Sequence, residues 1–75
     1  MRTKVDNYTN KVGMNIKLAR TKACLKQEEL AEKANLSRDT IGAIERGEKS
    51  PTVYTLGRIA DALGIDLYKL FVFED

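Results

Sequence analysis

The sequence predicts an all-α domain of five short helices. Apolar residues recur three and four positions apart over most of the chain, the period of one helix face. No stretch alternates apolar and polar residues as a half-buried strand must. Cap and stop residues, among them Asn35, Ser37, Gly47, Thr52 and Gly64, interrupt the pattern where helices begin and end.

Met1 to Asn10 is polar, rich in Thr and Asn, and lacks helical periodicity, so residues 1–10 are expected to be a flexible arm and 11–75 the domain. Val12, Ile16, Ala19 and Ala23 set a first helix over about residues 11–23. After a break at Cys24-Leu25, Glu28 and Glu29 suit the positive end of a second helix, whose buried stripe is Leu30, Ala31 and Ala34. Asn35 follows as the turn residue, because Asn tolerates the left-handed conformation better than most residues with a side chain. Leu36 plugs the core below it, and Ser37 caps a third helix that buries Ile41 and Ile44 and stops at Gly47. Ser50-Pro51-Thr52 is a start signal, with Ser50 or Thr52 as the cap. The fourth helix carries Leu56, Ile59, Ala60 and Leu63 and ends at Gly64. Asp66 caps a short fifth helix through Leu67 and Leu70, leaving Phe71 and Phe73 near the end.

Composition narrows the function classes. Seventy-five residues, 43% apolar and 32% charged, make a single small domain. The lone Cys24 allows no intrachain disulfide, and without a recognisable signal peptide it points to a reducing cytoplasm. The longest apolar run, Leu70 to Phe73, is too short for a bilayer. Histidine is absent, so one thiol cannot build a zinc site. No nucleophile–base pair is visible either, and neither an enzyme nor a cofactor is expected. Charge is lopsided: residues 1–26 hold seven bases against Asp6 alone, while the remaining 49 hold six bases against ten acids. One basic face could meet a polyanion, although ordinary solvated helix faces explain the same charges.

The informative stretch is Gln27 to Arg46, two short helices joined by a four-residue turn. Ala31 is small where the helices cross, and Leu36, Ile41 and Ile44 fix the angle from below. Such a pair presents its second helix as a ridge that fits a major groove about 12 Å wide. Arg38, Asp39, Gly42, Ala43 and Arg46 form the expected exposed side, mostly polar or small, which allows close approach to the bases.

The stretch resembles the phage-repressor and Cro-type (Xre-like) helix-turn-helix family, and with it the five-helix lambda-repressor-like domain. Gln27, Ala31, Asn35, Ile41 and Ile44 stand at the family's signature spacings, and LKQEELAEKANLSRDTIGAIERGEKSPTVYTLGRIADALGI follows its pattern almost throughout. The resemblance covers about residues 11–71. It implies that Arg38, Asp39, Thr40 and Ala43 read bases, and that Gln27, Lys26, Ser37, Arg46, Lys49 and Ser50 meet the phosphate backbone. It also implies a structural ion pair between Arg20 and Glu45. Three departures stand out. Asn35 stands at the turn where the family often has Gly, and is an accepted substitute. The family often has Gly where this chain has Cys24, so the first turn is expected to be built differently, with Cys24 as a small buried hydrophobe. Lys26 replaces the usual Ser or Thr cap, so the second helix should be less firmly capped.

A single recognition helix reads few base pairs, so a homodimer on an inverted repeat is expected, with half-sites about one helical turn apart. Tyr68, Phe71 and Phe73 exceed what so small a core needs and are the candidate interface; capping the protomer's own core is the competing account. The resemblance implies a sequence-specific transcriptional regulator of double-stranded DNA. A restriction-modification controller, a phage or mobile-element repressor and an antitoxin all fit, with RNA polymerase or a toxin as further partners. A protein-interaction module that lost DNA binding is the alternative, against which Arg38, Arg46 and Lys49 argue.

Overall fold

The computed structural model describes residues 4–73, with side chains from Tyr8 onward. Four α-helices, α1 (Lys4–Lys22), α2 (Gln27–Ala34), α3 (Arg38–Glu45) and α4 (Val53–Leu63), precede a 3-10 helix over Leu67–Phe71, and the described residues contain no strand. The expected fifth helix is therefore a tighter 3-10 segment, and Asp66 at its start makes no side-chain cap.

The first helix also departs from expectation. It begins at Lys4, so residues 4–10 are helical rather than an arm, while residues 1–3 of that arm lie outside the described residues. Tertiary contact supplies what local periodicity lacks: the Tyr8 ring stacks on Phe73 with centroids 6.2 Å apart, and the Lys11 ammonium lies 5.6 Å from the same ring. At its other end α1 stops at Lys22, one residue short of Ala23, which is exposed although it continues the apolar spacing.

All four α-helices end in the same way. Cys24, Asn35, Gly47 and Gly64 each adopt positive φ, 59°, 58°, 77° and 73° respectively. At each, that residue's N–H and the next one's bond back to the last turn, as Asn35 N–H does to Glu32 O (3.2 Å) and Leu36 N–H to Ala31 O (2.8 Å). This Schellman arrangement satisfies carbonyls that a helix end leaves orphaned. Cys24 thus keeps the turn that glycine would make, at the steric cost of a Cβ in the left-handed region. Its side chain is exposed, not buried. Starts are equally local: Ser37 Oγ accepts from Thr40 N–H (3.0 Å), and Thr52 Oγ1 from Thr55 N–H (3.1 Å).

Val12, Ile16, Leu30, Ala31, Ala34, Ile41, Ile44, Leu56, Ile59, Ala60 and Leu70 form one buried core, with Leu36 and Leu63 half-buried against it. Helix α1 crosses α3 so closely that a Cβ on Gly13 would strike the carbonyl oxygens of Ile44 and Glu45. The C-terminal segment is clipped to α1 by Asn15, whose Nδ2 donates to Leu70 O (2.9 Å) and Val72 O (3.0 Å). With one end of α3 held by α1 and the α2–α3 turn held from α4, the position of α3 is fixed from two sides.

Candidate nucleic-acid interface

The carboxylate at the end of α3 organises this face. Glu45 is buried, its side chain 2% exposed, yet both its oxygens are bonded. Arg20 of α1 donates from Nε to Oε2 (2.7 Å) and from Nη2 to Oε1 (3.1 Å), and Gln27 of α2 donates from Nε2 to Oε1 (3.0 Å). Arg20 Nη1 donates as well to Leu25 O at the end of the α1–α2 turn (2.8 Å). Three helices meet at one charge, and a buried carboxylate so paired avoids the large penalty of an unpaired one. The first residue of α2 is thereby oriented by the last residue of α3.

Around this hub lies a shallow cleft lined by Arg20, Lys26, Gln27, Glu28, Glu29 and Arg38. The N-terminus of α2 opens into it. Lys26 has no acceptor to offer as a cap, but its N–H donates to the Glu29 carboxylate (2.8 Å), half of a capping box. This partner was overlooked in the sequence, where Glu29 three residues after Lys26 was the available sign. Helix α3 projects beside the cleft with Arg38 and Asp39 exposed at its start.

The helix-turn-helix family model matches residues 16–70. The chain belongs to the helix-turn-helix family. Its members are DNA-binding regulators of transcription, not enzymes. The immunity repressor of Bacillus phage phi105 is 48% identical over 56 residues, which cover 75% of this chain and 39% of the repressor. The chain thus corresponds to well under half of that relative's length. Among solved structures, the restriction-modification controller protein C.AhdI from Aeromonas hydrophila is 32% identical with a TM-score of 0.86, covering 88% of this chain and 96% of that one. The controller protein C.Esp1396I, in a structure of its tetramer with a natural 35 base-pair operator, is 34% identical with a TM-score of 0.79, covering 85% and 84%.

Within this helix-turn-helix unit the sequence-derived residues divide into distinct groups. Arg38 and Asp39 are exposed, their charges 3.8 Å apart. Thr40 is half-buried and its hydroxyl is engaged with Ser37 Oγ (2.8 Å), so both residues serve the cap of α3. Ala43 is half-buried. Gly42, expected on the exposed side, is buried beneath the side chains of Gln27 and Arg46. Lys26, Lys49 and Ser50 are exposed, and Arg46 is exposed but paired with Glu48. That ion pair holds the Glu48 carboxyl below the usual carboxylate range and raises Arg46 further, chiefly through the hydrogen bond between them.

The three C-terminal aromatics do not form one patch. Phe73 is half-buried, against Tyr8 and the core, whereas Tyr68 and Phe71 are exposed on different grooves. Tyr68 lies with Met14, Leu18 and Val72 along α1, and Phe71 lies with Val53, Pro51 and Tyr8 beside the loop after α3.

Sequence reasoning missed Arg58. From α4 its Nη2 donates to the carbonyl of left-handed Asn35 (2.9 Å), and its guanidinium sits 5.7 Å from the Tyr54 ring. It pins the α2–α3 turn from outside. Nothing in the local pattern marks it, because its partner lies 23 residues away.

Proposed function

We propose that this protein is a sequence-specific regulator of transcription that binds an inverted-repeat operator as a homodimer and controls its own operon. The observation that carries this reading is the Glu45 hub, which locks the N-terminus of α2 against the exposed ridge of α3. One Nε2 hydrogen of Gln27 goes to Glu45, and the other is available to a phosphate oxygen. The α2 N-terminus, Lys26 and Arg38 around the cleft favour the same anion. In this reading Arg38 and Asp39 face base edges, since Arg makes a bidentate contact to guanine and Asp accepts from cytosine N4. Ala43 gives the ridge a small contact surface, Thr40 and Ser37 hold the start of α3, and Arg46, Lys49 and Ser50 flank the second phosphate strand.

The homodimer is supported by apolar surface beside the recognition segment. Phe71 and Val53 are 42% and 68% exposed next to Pro51, and Tyr68 is 62% exposed on the other groove.

Selection of bound sites from random duplex DNA, followed by titration of the selected site and of scrambled duplex over a salt series, tests the proposal. Arg38→Ala should weaken the selected site by about 1–3 kcal/mol and relax one base position. Gln27→Ala should weaken selected and scrambled duplex more evenly, because a phosphate contact carries no base information. If Arg38→Ala leaves affinity and preference untouched, α3 is not the reading helix.

A further inference from the structure

We propose that Glu48 tunes DNA affinity by competing with the DNA phosphate for Arg46. The inference rests on the reading above, in which Arg46 meets the backbone. In the free protein Arg46 is already engaged as a phosphate would engage it: Nε donates to Glu48 Oε2 (2.9 Å) and Nη2 to Oε1 (3.1 Å). This is the fork geometry by which arginine grips a carboxylate or a phosphate.

The pose is shaped by the recognition helix. Arg46 folds back over Gly42, with Nη1 3.0 Å from the point where a Cβ on Gly42 would stand. Gln27 Oε1 lies 3.6 Å from that point, so the guanidinium rests beside the residue placed nearest a phosphate. The absence of a side chain at position 42 therefore admits an arginine to the DNA-facing side, and Glu48 holds it there. Both partners are more than half exposed, at 59% and 58%, so a phosphate can reach and replace the carboxylate.

Charge over the whole segment fits this role. From Ser37 to Ser50 the three cations Arg38, Arg46 and Lys49 are matched by the three anions Asp39, Glu45 and Glu48. Glu45 is buried and held by Arg20, but Asp39 and Glu48 are exposed, each beside an arginine expected at the DNA. A protein that neutralises phosphates gains affinity by releasing counterions. A carboxylate bonded to one of its arginines subtracts from that gain, because the pair must open when the complex forms. Exposed pairs open readily, so the consequence is an adjustment of affinity, not a block.

The test is a cycle of Arg46→Ala, Glu48→Gln and the double variant, with dissociation constants for selected and scrambled duplexes measured from low to moderate salt. Circular dichroism and thermal melting confirm folding; Glu48→Gln lies on the surface and should melt with the wild type. Glu48→Gln should bind both duplexes about three- to tenfold more tightly at low salt, with the logarithmic salt slope steeper by about 0.9, the value of one added phosphate neutralisation. Arg46→Ala should weaken both duplexes, and Glu48→Gln should then add little in the Arg46→Ala background. An equal gain in that background would mean that Glu48 acts by general repulsion, overturning the competition while leaving the Arg46 contact intact. Unchanged or weaker binding by Glu48→Gln, with Arg46→Ala impaired, would make the carboxylate idle or a positioning group and overturn the proposal alone. If Arg46→Ala binds normally, the phosphate contact itself is wrong and the proposal falls with it.

Discussion

Replacing Arg20 by Met strands a buried carboxylate at the point where three helices meet. The Glu45 carboxylate, 2% exposed, would retain only the Gln27 amide as a side-chain donor, and Leu25 O would lose the Arg20 Nη1 bond. Breaking one partner of a buried pair costs about 3–5 kcal/mol, because the remaining charge is stranded. A chain of 75 residues has a total stability of about 4–11 kcal/mol at the usual value per residue. The variant should therefore lose at least about a quarter of its stability, and at the low end of that range it should not fold at all. Glu45→Leu should cost less, because Arg20 is 13% exposed and keeps Leu25 O as an acceptor. The double variant Arg20→Met/Glu45→Leu should be more stable than the sum of the single losses implies, by about 1–3 kcal/mol, as contacting residues couple on that scale. Urea unfolding of the four proteins followed by circular dichroism measures the cycle. Additivity within about 0.5 kcal/mol would refute the argument, because that is the behaviour of sites that do not interact.

Further outcomes follow from single contacts. Gly13→Ala should destabilise by about 2 kcal/mol or more, since its Cβ meets backbone oxygens of Ile44 and Glu45 that can yield only if α1 moves off α3; a shifted denaturation midpoint checks it. Cys24→Gly should raise stability by up to about 1 kcal/mol, because it removes a Cβ from the left-handed region without losing buried surface; thermal melting under reducing conditions measures it. Phe71→Asp should leave the fold intact, the side chain being 42% exposed, while sedimentation shows a shift to monomer and operator affinity falls in parallel. Phe73→Asp would be a poor substitute for that experiment: it should lower the melting temperature of the protomer itself by breaking the stack on Tyr8 and contacts to the core.

Where α2, α3 and α4 begin and end was legible because those decisions are made by neighbours. Asn35 and Gly64 close helices with bonds to residues three and five positions back, and Ser37 and Thr52 open helices with bonds three positions ahead. Core positions such as Ile41, Ile44, Leu56 and Ile59 were equally plain, since burial repeats with the turn of the helix. The ion pair of Arg20 with Glu45 could be placed only by the family pattern, as 25 residues separate the partners.

The remainder was decided in three dimensions. Helix α1 extends back to Lys4 although its start is polar and lacks helical periodicity, because Tyr8 finds Phe73 from the opposite end of the chain. That contact also draws Phe73 into the protomer and leaves Tyr68 and Phe71 on separate grooves. Gly42 is exposed by periodicity but covered in fact, because Gln27 and Arg46 converge on the space its missing side chain leaves. Arg58 holds the turn at Asn35, and Asn15 holds the C-terminal carbonyls, through single side-chain bonds spanning 23 to 57 residues. A local pattern records what each residue prefers within about one helical turn. Which distant donor meets which acceptor depends on how the helices pack, so only the tertiary structure decides it.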